Sequence, residues 1–328
     1  MATRILRWGL ISTARINRAL IPPLRASARN QLVAVASREM DKARAYAKEW
    51  NIPRVFGSYE AMLADPDIDV VYNPLPNGLH AEWTIKAAQA GKHVLCEKPF
   101  AVTVEQVDAM AAAAQKAGVV VAEAFMYRHH PQTLKVKELV ESGAIGKLRL
   151  ALGSFSFNLT RDSDVRLDPV LGGGSIWDVG CYPISYVRCV IGAEPVEVFG
   201  RQVTGPTGVD MTFTGQMRFA GDVFAQFDCS FGMPFRAHIE IVGSEGIISV
   251  PQPFKPERDD KILLTRHDET ETIPIPGQML YLGEVEDMAD AILQGNAPRV
   301  SLADSRGNVA AIVALLQSAR ESRPVPVR

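Results

Sequence analysis

The sequence predicts a two-domain α/β protein, with a parallel sheet between helices in residues 1–126 and an α+β domain in residues 127–328. In the first part, short apolar runs alternate with helical patterns, which is typical of βαβ units and a parallel sheet. After Pro131, longer runs alternate apolar and polar residues and several are joined by Gly-containing turns. This second pattern predicts a large open, mainly antiparallel sheet that is covered on one face.

Length and composition suit two globular domains and give no reason to expect a nucleic-acid or membrane partner. The chain has 328 residues, 47% hydrophobic, with a formal net charge of −2. A nearly neutral chain gives no electrostatic reason to expect nucleic acid or an anionic membrane. No apolar run approaches the ~20 residues that span a bilayer, and MATRILRWGL lacks a signal-peptide pattern. Since no C-x-x-C pair is formed by Cys96, Cys181, Cys189 and Cys229, we expect reduced thiols in a cytoplasmic protein.

The strands predicted in the first domain are ILRWGLI, LVAVAS, DVVYN, HVLC and VVVAEAF. Ligands of parallel sheets bind beyond the carboxyl ends of such strands. HVLC ends in Glu97-Lys98-Pro99, and a proline restricts the residue before it to extended backbone. Lys98 is therefore a candidate functional residue held at a strand end.

The turn after the first strand is the expected place for the phosphates of a dinucleotide. The usual fingerprint is G-x-G-x-x-G/A, because missing side chains let the backbone approach a pyrophosphate. In GLISTARIN the three positions fall on Ser12, Ala14 and Asn17. Two small residues preserve close approach, but a tight structural turn explains the same segment.

The end of the second strand bears on the choice between NADP and NAD. Asp or Glu at this place binds the ribose hydroxyls of NAD, whereas Arg can hold a 2′-phosphate. The sequence has Ser37 and Arg38 there, followed by Glu39. A guanidinium forms bidentate hydrogen bonds to phosphate, so NADP is favoured. Glu39 on a ribose diol, or Arg38 as an ordinary exposed arginine, are the alternatives.

Two further strand ends carry polar residues. YNPLPNGLH contains Asn77 and His80, and EAFMYRHHP contains Arg128. Asn77 is equally explained as a helix cap, and His80 as a polar residue near a helix start. The adjacent histidines lack supporting carboxylate or cysteine spacing, so no metal site is expected.

In the second domain, LGGGSIWDVGCYPISYVRCVIG interrupts the strand pattern. Gly180 and Pro183 disfavour regular helix in its middle. If the segment is helical, Asp178 and Tyr182 lie four residues apart on one face. The alternative is a flexible glycine loop, a surface aspartate and a core tyrosine.

The motifs AGKHVLCEKP, EAFMYRHHP and GGGSIWDVGCYP together resemble the glucose–fructose oxidoreductase/inositol dehydrogenase (GFO/IDH/MocA) family. The likeness is greatest to its NADP-dependent dimeric dihydrodiol dehydrogenase, D-xylose dehydrogenase and 1,5-anhydrofructose reductase branches. The resemblance implies an N-terminal Rossmann domain and a C-terminal domain whose open sheet forms a homodimer or homotetramer. It also implies reversible oxidation of a sugar or related diol with NADP, or with NAD.

The resemblance places the family's catalytic residues on Lys98, Asp178 and Tyr182, and it implies a cis bond before Pro99. Its cofactor contacts fall on Ser12, Thr13, Ala14, Arg15, Ile16, Ser37, Arg38, Leu75, Asn77, His80, Glu97, Lys98 and Arg128. The expected substrate contacts are Phe155, Arg166, Trp177, Asp178 and Tyr182.

The expected chemistry needs a base for the hydroxyl proton and a stabiliser for the developing alkoxide. Tyr182 is the candidate for proton transfer, since a nearby ammonium such as Lys98 lowers a tyrosine pKa from about 10. In the alternative, Lys98 carries the proton and Tyr182 only positions substrate. Asp178 would orient the substrate hydroxyl or Lys98. A non-catalytic NAD(P)-binding sensor or scaffold protein with the same fold is the rival function from a different class.

Overall fold

The computed structural model describes residues 4–256 and 260–327. By contacts, these residues form two compact units. The first contains the described residues up to Met126 together with Tyr281–Ser305, and the second contains Tyr127–Leu280 and the residues from Arg306 onward. The grouping differs from the predicted division because residues 281–305 belong with the first unit.

Strands and helices alternate in the first part of the chain and give way to longer runs of strands in the second. The first part contains β1 Leu6–Ile11, α1 Asn17–Ala26, β2 Asn30–Ala36, α2 Met40–Glu49, β3 Arg54–Phe56, α3 Tyr59–Leu63, β4 Val70–Asn73, α4 His80–Gln89, β5 His93–Glu97, α5 Val104–Ala117 and β6 Val121–Ala124. There follow α6 Pro131–Glu141, β7 Leu148–Asn158, α7 Cys181–Ile191, β8 Glu197–Thr204, β9 Asp210–Arg218, β10 Phe224–Ser230, β11 Gly232–Gly243, β12 Ile247–Val250, β13 Asp260–Arg266, β14 Glu269–Ile275, α8 Leu282–Gln294, α9 Leu302–Glu321 and β15 Val325–Pro326.

The first unit contains a parallel sheet in the order β3-β2-β1-β4-β5-β6. β1 is central, and Leu6, Trp8, Leu10 and Ile11 are fully buried, as expected for a strand covered on both faces. The strand order reverses between β1 and β4, and ligands of such sheets bind at this switch point beyond the carboxyl ends. The predicted Rossmann fold is confirmed.

The second unit contains a nine-stranded sheet in the order β14-β13-β12-β11-β7-β10-β9-β8-β15. All described pairs are antiparallel except β10 with β7. On β9 the buried Phe213, Gly215 and Met217 alternate with the exposed Thr214 and Gln216. One face of the sheet is thus covered and the other open, which confirms the predicted α+β domain.

The glycine-rich segment is helical despite Gly180 and Pro183. A π-helical turn, Ile176–Gly180, runs directly into α7. Pro183 is the third residue of α7, close to the position where the hydrogen-bonding pattern changes and a missing N–H is tolerated. A single π turn inside a helix is often found at functional sites. Across the described residues, no helix has the length and apolarity needed to cross a membrane.

Candidate active site

The turn after β1 begins with a serine in a backbone conformation that is unusual for a residue other than glycine. Ser12 has a φ of 74°, in the left-handed region that glycine favours. The buried Asn17 opens α1, and its Nδ2 donates to the Ser12 carbonyl over 3.0 Å. Thr13, Ala14 and Ile16 are partly exposed, and Arg15 is exposed. The turn therefore keeps its shape through Asn17, which occupies the third fingerprint position.

The end of β2 presents an exposed guanidinium. The Ser37 Oγ accepts the Glu39 N–H over 3.2 Å, which orders the backbone around Arg38. Burial raises the pKa of Tyr59, and the neighbouring charge of Arg38 opposes that shift. Glu39 is exposed and forms an ion pair with Lys42 (2.7 Å). Arg38 is thus an exposed cation beside Tyr59, whereas Glu39 already has a cationic partner.

Lys98 follows directly after β5, beside a buried carboxylate. Glu97 accepts the Lys98 N–H at Oε2 (3.2 Å) and the hydroxyl of the fully buried Tyr72 at Oε1. The predicted cis bond between Lys98 and Pro99 is present. The Phe100 N–H is accepted by Oε1 of the buried Glu123 (2.9 Å). Carboxylates on β5 and β6 therefore hold the backbone on both sides of Lys98.

His80 lies at the start of α4 and is fully buried. Its Nδ1 lies 2.8 Å from the Pro99 carbonyl oxygen, and its Nε2 lies 2.7 Å from the Leu75 carbonyl oxygen. Burial lowers the pKa of His80 to about 4, although both carbonyl contacts act in the opposite direction. His80 therefore connects the loop after β4 to the loop after β5, and its cofactor contact stays a prediction.

In the second unit, Asp178 and Arg166 form an ion pair. Arg166 Nε donates to Asp178 Oδ2 over 2.6 Å, and its NH1 donates to Asp164 Oδ1 over 3.1 Å. Burial alone would lower the pKa of Arg166, but the two carboxylates raise it above its usual value. Two predicted substrate residues, Arg166 and Asp178, are therefore in contact.

Tyr182 belongs to a buried aromatic cluster of the second unit. Its ring packs edge to face on Phe155 (5.2 Å between centroids) and near Phe254 (5.4 Å) and Tyr127 (5.8 Å). Tyr182 is 5% exposed and Trp177 is 6% exposed. The cluster fixes the phenol ring on α7, so the predicted substrate residues Phe155 and Tyr182 are also in contact.

Three predicted cofactor residues differ in their surroundings. Leu75 is buried after β4, and Asn77 begins a short 3-10 turn, Asn77–Leu79. Arg128 belongs to the second unit, where its NH1 donates to Ser185 Oγ over 3.0 Å. The cofactor roles of Leu75, Asn77 and Arg128 stay predictions.

Comparison with known families decides the class of protein. Residues 6–125 match the oxidoreductase family with an NAD-binding Rossmann fold, and residues 133–249 match the GFO/IDH/MocA C-terminal domain. The chain belongs to the GFO/IDH/MocA oxidoreductase family. The predicted family and the predicted class of enzyme are thereby confirmed.

Relatives of this oxidoreductase are similar along nearly the whole chain. D-xylose 1-dehydrogenase (NADP(+)) 2 of Haloferax volcanii is 36% identical, covering 97% of this chain and 98% of the relative. Trans-1,2-dihydrobenzene-1,2-diol dehydrogenase of Xenopus laevis is 32% identical, covering 93% and 94%. The crystal structure of KijD10, a 3-ketoreductase from Actinomadura kijaniata in complex with NADP and TDP-benzene, superposes with a TM-score of 0.91 at 30% identity, covering 96% and 98%.

One buried acid of the oxidoreductase is absent from the motifs. Glu284 on α8 is 1% exposed, and neither of its carboxyl oxygens has a hydrogen-bond partner among the described residues. Burial, reinforced by the negative charge of Glu97, raises the pKa of Glu284 well above its usual range. Its spacing from the buried Met288 and Ala291 was the available signal, because it places an acid on the apolar face of α8.

Glu284→Gln should make the protein's stability less sensitive to alkaline pH. Because the folded state holds the Glu284 proton more tightly than the unfolded state, wild-type stability falls as pH rises from about 4.3 towards the raised pKa. The amide has no such proton, so the variant should gain at least about 2 °C in melting temperature relative to wild type between about pH 6 and about pH 9. Thermal melts followed by circular dichroism measure this difference.

The matched control is Glu286→Gln on the same helix, where the carboxylate pairs with Arg29. Its melting temperature should follow the wild-type pH dependence. A pH-independent difference between Glu284→Gln and wild type would contradict the assignment of a bound proton to Glu284.

Proposed function

We propose that this oxidoreductase transfers a hydride between NADP(H) and a hydroxyl or carbonyl carbon of a sugar or related diol. The observation that carries the proposal is Lys98, placed directly beyond β5 in a Rossmann unit and held there by Glu97 and Glu123. The Haloferax relative is named as an NADP-dependent xylose dehydrogenase, and KijD10 was crystallised with NADP. Both names support the cofactor, and the name of the Haloferax relative also supports the class of substrate.

The residues of the first unit fit NADP in two places. The left-handed backbone at Ser12 lets the turn after β1 approach a pyrophosphate without a glycine. Arg38, beside the Ser37 hydroxyl, offers a guanidinium suited to a 2′-phosphate. Thr13, Ala14, Arg15 and Ile16 complete that turn, and Glu97 and Lys98 lie at the end of β5. When bound, NADP supplies or accepts the hydride.

Each catalytic residue has one role in the proposed mechanism. The ammonium of Lys98 hydrogen-bonds the reacting oxygen of the substrate and stabilises its developing negative charge. The side chain of Tyr182 accepts the proton of that oxygen when a hydroxyl is oxidised and returns a proton to it when a carbonyl is reduced. Asp178 accepts a hydrogen bond from a substrate hydroxyl and thereby orients the sugar. Since the guanidinium of Arg166 is shared by Asp178 and Asp164, we favour an uncharged polyol over an anionic sugar.

The direct experiment is a substrate screen with both cofactor forms. Purified protein should change absorbance at the reduced-nicotinamide band with NADP⁺ and at least one aldose or vicinal diol, or with NADPH and the corresponding carbonyl compound. No turnover in either direction across neutral aldoses, polyols and diols would contradict the proposed function. A greater rate with sugar phosphates or uronic acids would contradict the uncharged substrate.

Arg38→Ala should remove a preference for NADPH over NADH. Loss of the guanidinium should weaken NADPH binding by about 10- to 100-fold, since a charge-assisted hydrogen bond contributes about 1.5–3 kcal/mol, and leave NADH binding unchanged. Fluorescence titration of both reduced cofactors measures this preference. Arg44→Ala, at an exposed arginine of α2 paired with Asp41, is the control. Equal affinities of the wild-type protein for NADPH and NADH would contradict the role of Arg38.

We further propose a cytoplasmic homodimer or homotetramer assembled through the open sheet of the second unit. The free thiols of the four cysteines support a reducing compartment. The uncovered face of β9 supports assembly through the sheet, and light scattering of the purified protein measures the subunit number. A monomer at micromolar concentration would contradict the assembly.

A further inference from the structure

Asp210 is a buried carboxylate of the second unit that no sequence motif includes. It is the first residue of β9 and is 4% exposed. Its Oδ2 accepts two hydrogen bonds, from Ser175 Oγ over 2.6 Å and from the Ile176 N–H over 2.8 Å. Both donors lie at the start of the π-helical turn that contains Asp178. One carboxylate oxygen therefore fixes the place where this turn begins.

The glycine run before this turn is shaped by close contacts. Gly174 has a φ of 122°, and a Cβ there would collide with Oδ1 of Asp210. The Gly174 N–H donates to the Arg166 carbonyl over 2.9 Å, and the Gly174 carbonyl accepts the Asp178 N–H over 3.1 Å. A Cβ at Gly173 would collide with the Arg166 carbonyl. The glycines thus allow the chain to contact Asp210 and Arg166 at once.

A carboxylate in this position is costly for the folded state. Burial raises the pKa of Asp210 to about 6, even though the hydrogen bonds from Ser175 and Ile176 favour the ionised form. The buried thiol of Cys229 lies 3.5 Å from Ser175 Oγ and supplies no positive charge. An apolar residue at this position would leave the Ser175 hydroxyl and the Ile176 N–H without their acceptor. The acid at residue 210 therefore serves the local structure at the start of the π-helical turn.

We propose that Asp210 is a positioning residue that holds the start of the π-helical turn and so places Asp178 and Tyr182 for reaction. The inference rests on the proposed function and adds a residue to it. Asp210 itself contacts neither substrate nor cofactor in this role. It acts through Ser175, Ile176 and Gly174, which precede Asp178 in the chain. The Gly174 N–H also donates to the Arg166 carbonyl, so the position of Gly174 bears on the backbone at Arg166 as well.

Asp210→Leu should lower kcat by about 10²-fold, the loss expected when reacting groups shift by about 1 Å. Dissociation of NADPH should change by less than about twofold, because most of the predicted cofactor residues lie in the first unit. Asp210→Asn keeps the shape and one acceptor oxygen, so it should restore kcat to within about tenfold of wild type. The measurements are steady-state kinetics on a substrate found by the screen and fluorescence titration of NADPH.

Two further variants keep the test decisive. Ser175→Ala removes one donor while Asp210 stays, and should lower kcat by about tenfold even if Asp210→Leu fails to fold. Asp228→Leu on β10 is the control, because that carboxylate pairs with Arg236 and is 28% exposed, and kcat should be unchanged. Wild-type kcat in Ser175→Ala, or equal losses in Asp210→Asn and Asp210→Leu, would overturn the positioning role.

The wild-type protein is assayed first, so that the two proposals fail separately. An inactive wild type across the whole screen would overturn the proposed function and this inference with it. An active wild type with unchanged kcat in the Asp210 and Ser175 variants would overturn only the inference.

Discussion

Lys98→Met should lower kcat by about 10³-fold or more while changing NADPH affinity by less than about tenfold. Methionine has nearly the length of lysine but neither a charge nor a donor. The variant therefore removes stabilisation of the developing alkoxide and leaves the volume of the side chain. Steady-state kinetics and fluorescence titration with NADPH separate the two effects, since chemistry and cofactor binding are measured independently.

Lys86→Met is the control for the lysine variant. Lys86 is partly exposed on α4, forms an ion pair with Glu82 (2.6 Å) and lies over the ring of Trp83. Its loss should leave kcat within about twofold of wild type, as for a surface substitution away from the site. Unchanged turnover in Lys98→Met would remove this lysine from the chemistry, whereas a loss confined to NADPH binding would assign it to the cofactor alone.

Tyr182→Phe should lower kcat by about 10²-fold and remove one ionisation from the pH–rate profile, because phenylalanine cannot move a proton. The ring remains, so its packing on Phe155 and Phe254 should be retained. The profile of kcat between about pH 5 and about pH 10 distinguishes proton transfer from simple positioning. A higher KM with nearly unchanged kcat would instead support Lys98 as the proton carrier.

The chain offers a matched control one helical turn away. Tyr186 is fully buried on α7 and its ring stacks on Tyr127 (5.6 Å between centroids). Burial raises the pKa of Tyr186 above its usual value. Tyr186→Phe removes the same hydroxyl from the same helix, and it should leave the pH–rate profile unchanged. Equal effects of the two substitutions would contradict a specific role of Tyr182.

Local patterns predicted most of the fold because they reflect local physics. Buried parallel strands are continuous apolar runs, whereas half-covered antiparallel strands alternate apolar and polar residues. The sequences of β1 and β9 therefore predict the type of sheet to which each belongs. Lys98 could be placed at a strand end because HVLC stops abruptly at a charged pair before proline. The contact of Arg166 with Asp178 lies within twelve residues of chain, close to the range of sequence reasoning.

The remaining features depend on contacts between distant segments. Asp210 bonds to Ser175 and Ile176 from about 35 residues away, so no local pattern relates them. Glu284 interacts with Glu97 and Tyr72, and these residues are even further apart in the sequence. The two carbonyl oxygens that contact the ring nitrogens of His80 could not be predicted from its position near a helix start. Hydrogen-bond partners of buried polar groups could not be predicted from residue type.

The first unit is discontinuous in the chain, which affects the order in which it is made. Its last segment, with the apolar side of α8, leaves the ribosome about 180 residues after Met126. At synthesis rates of about 5–20 residues per second, the nascent sheet waits on the order of 10–40 s for this helix. During that interval the surface that α8 later covers stays open to water and to chaperones. A slow-translating cell therefore prolongs the period in which the half-made unit is prone to aggregate.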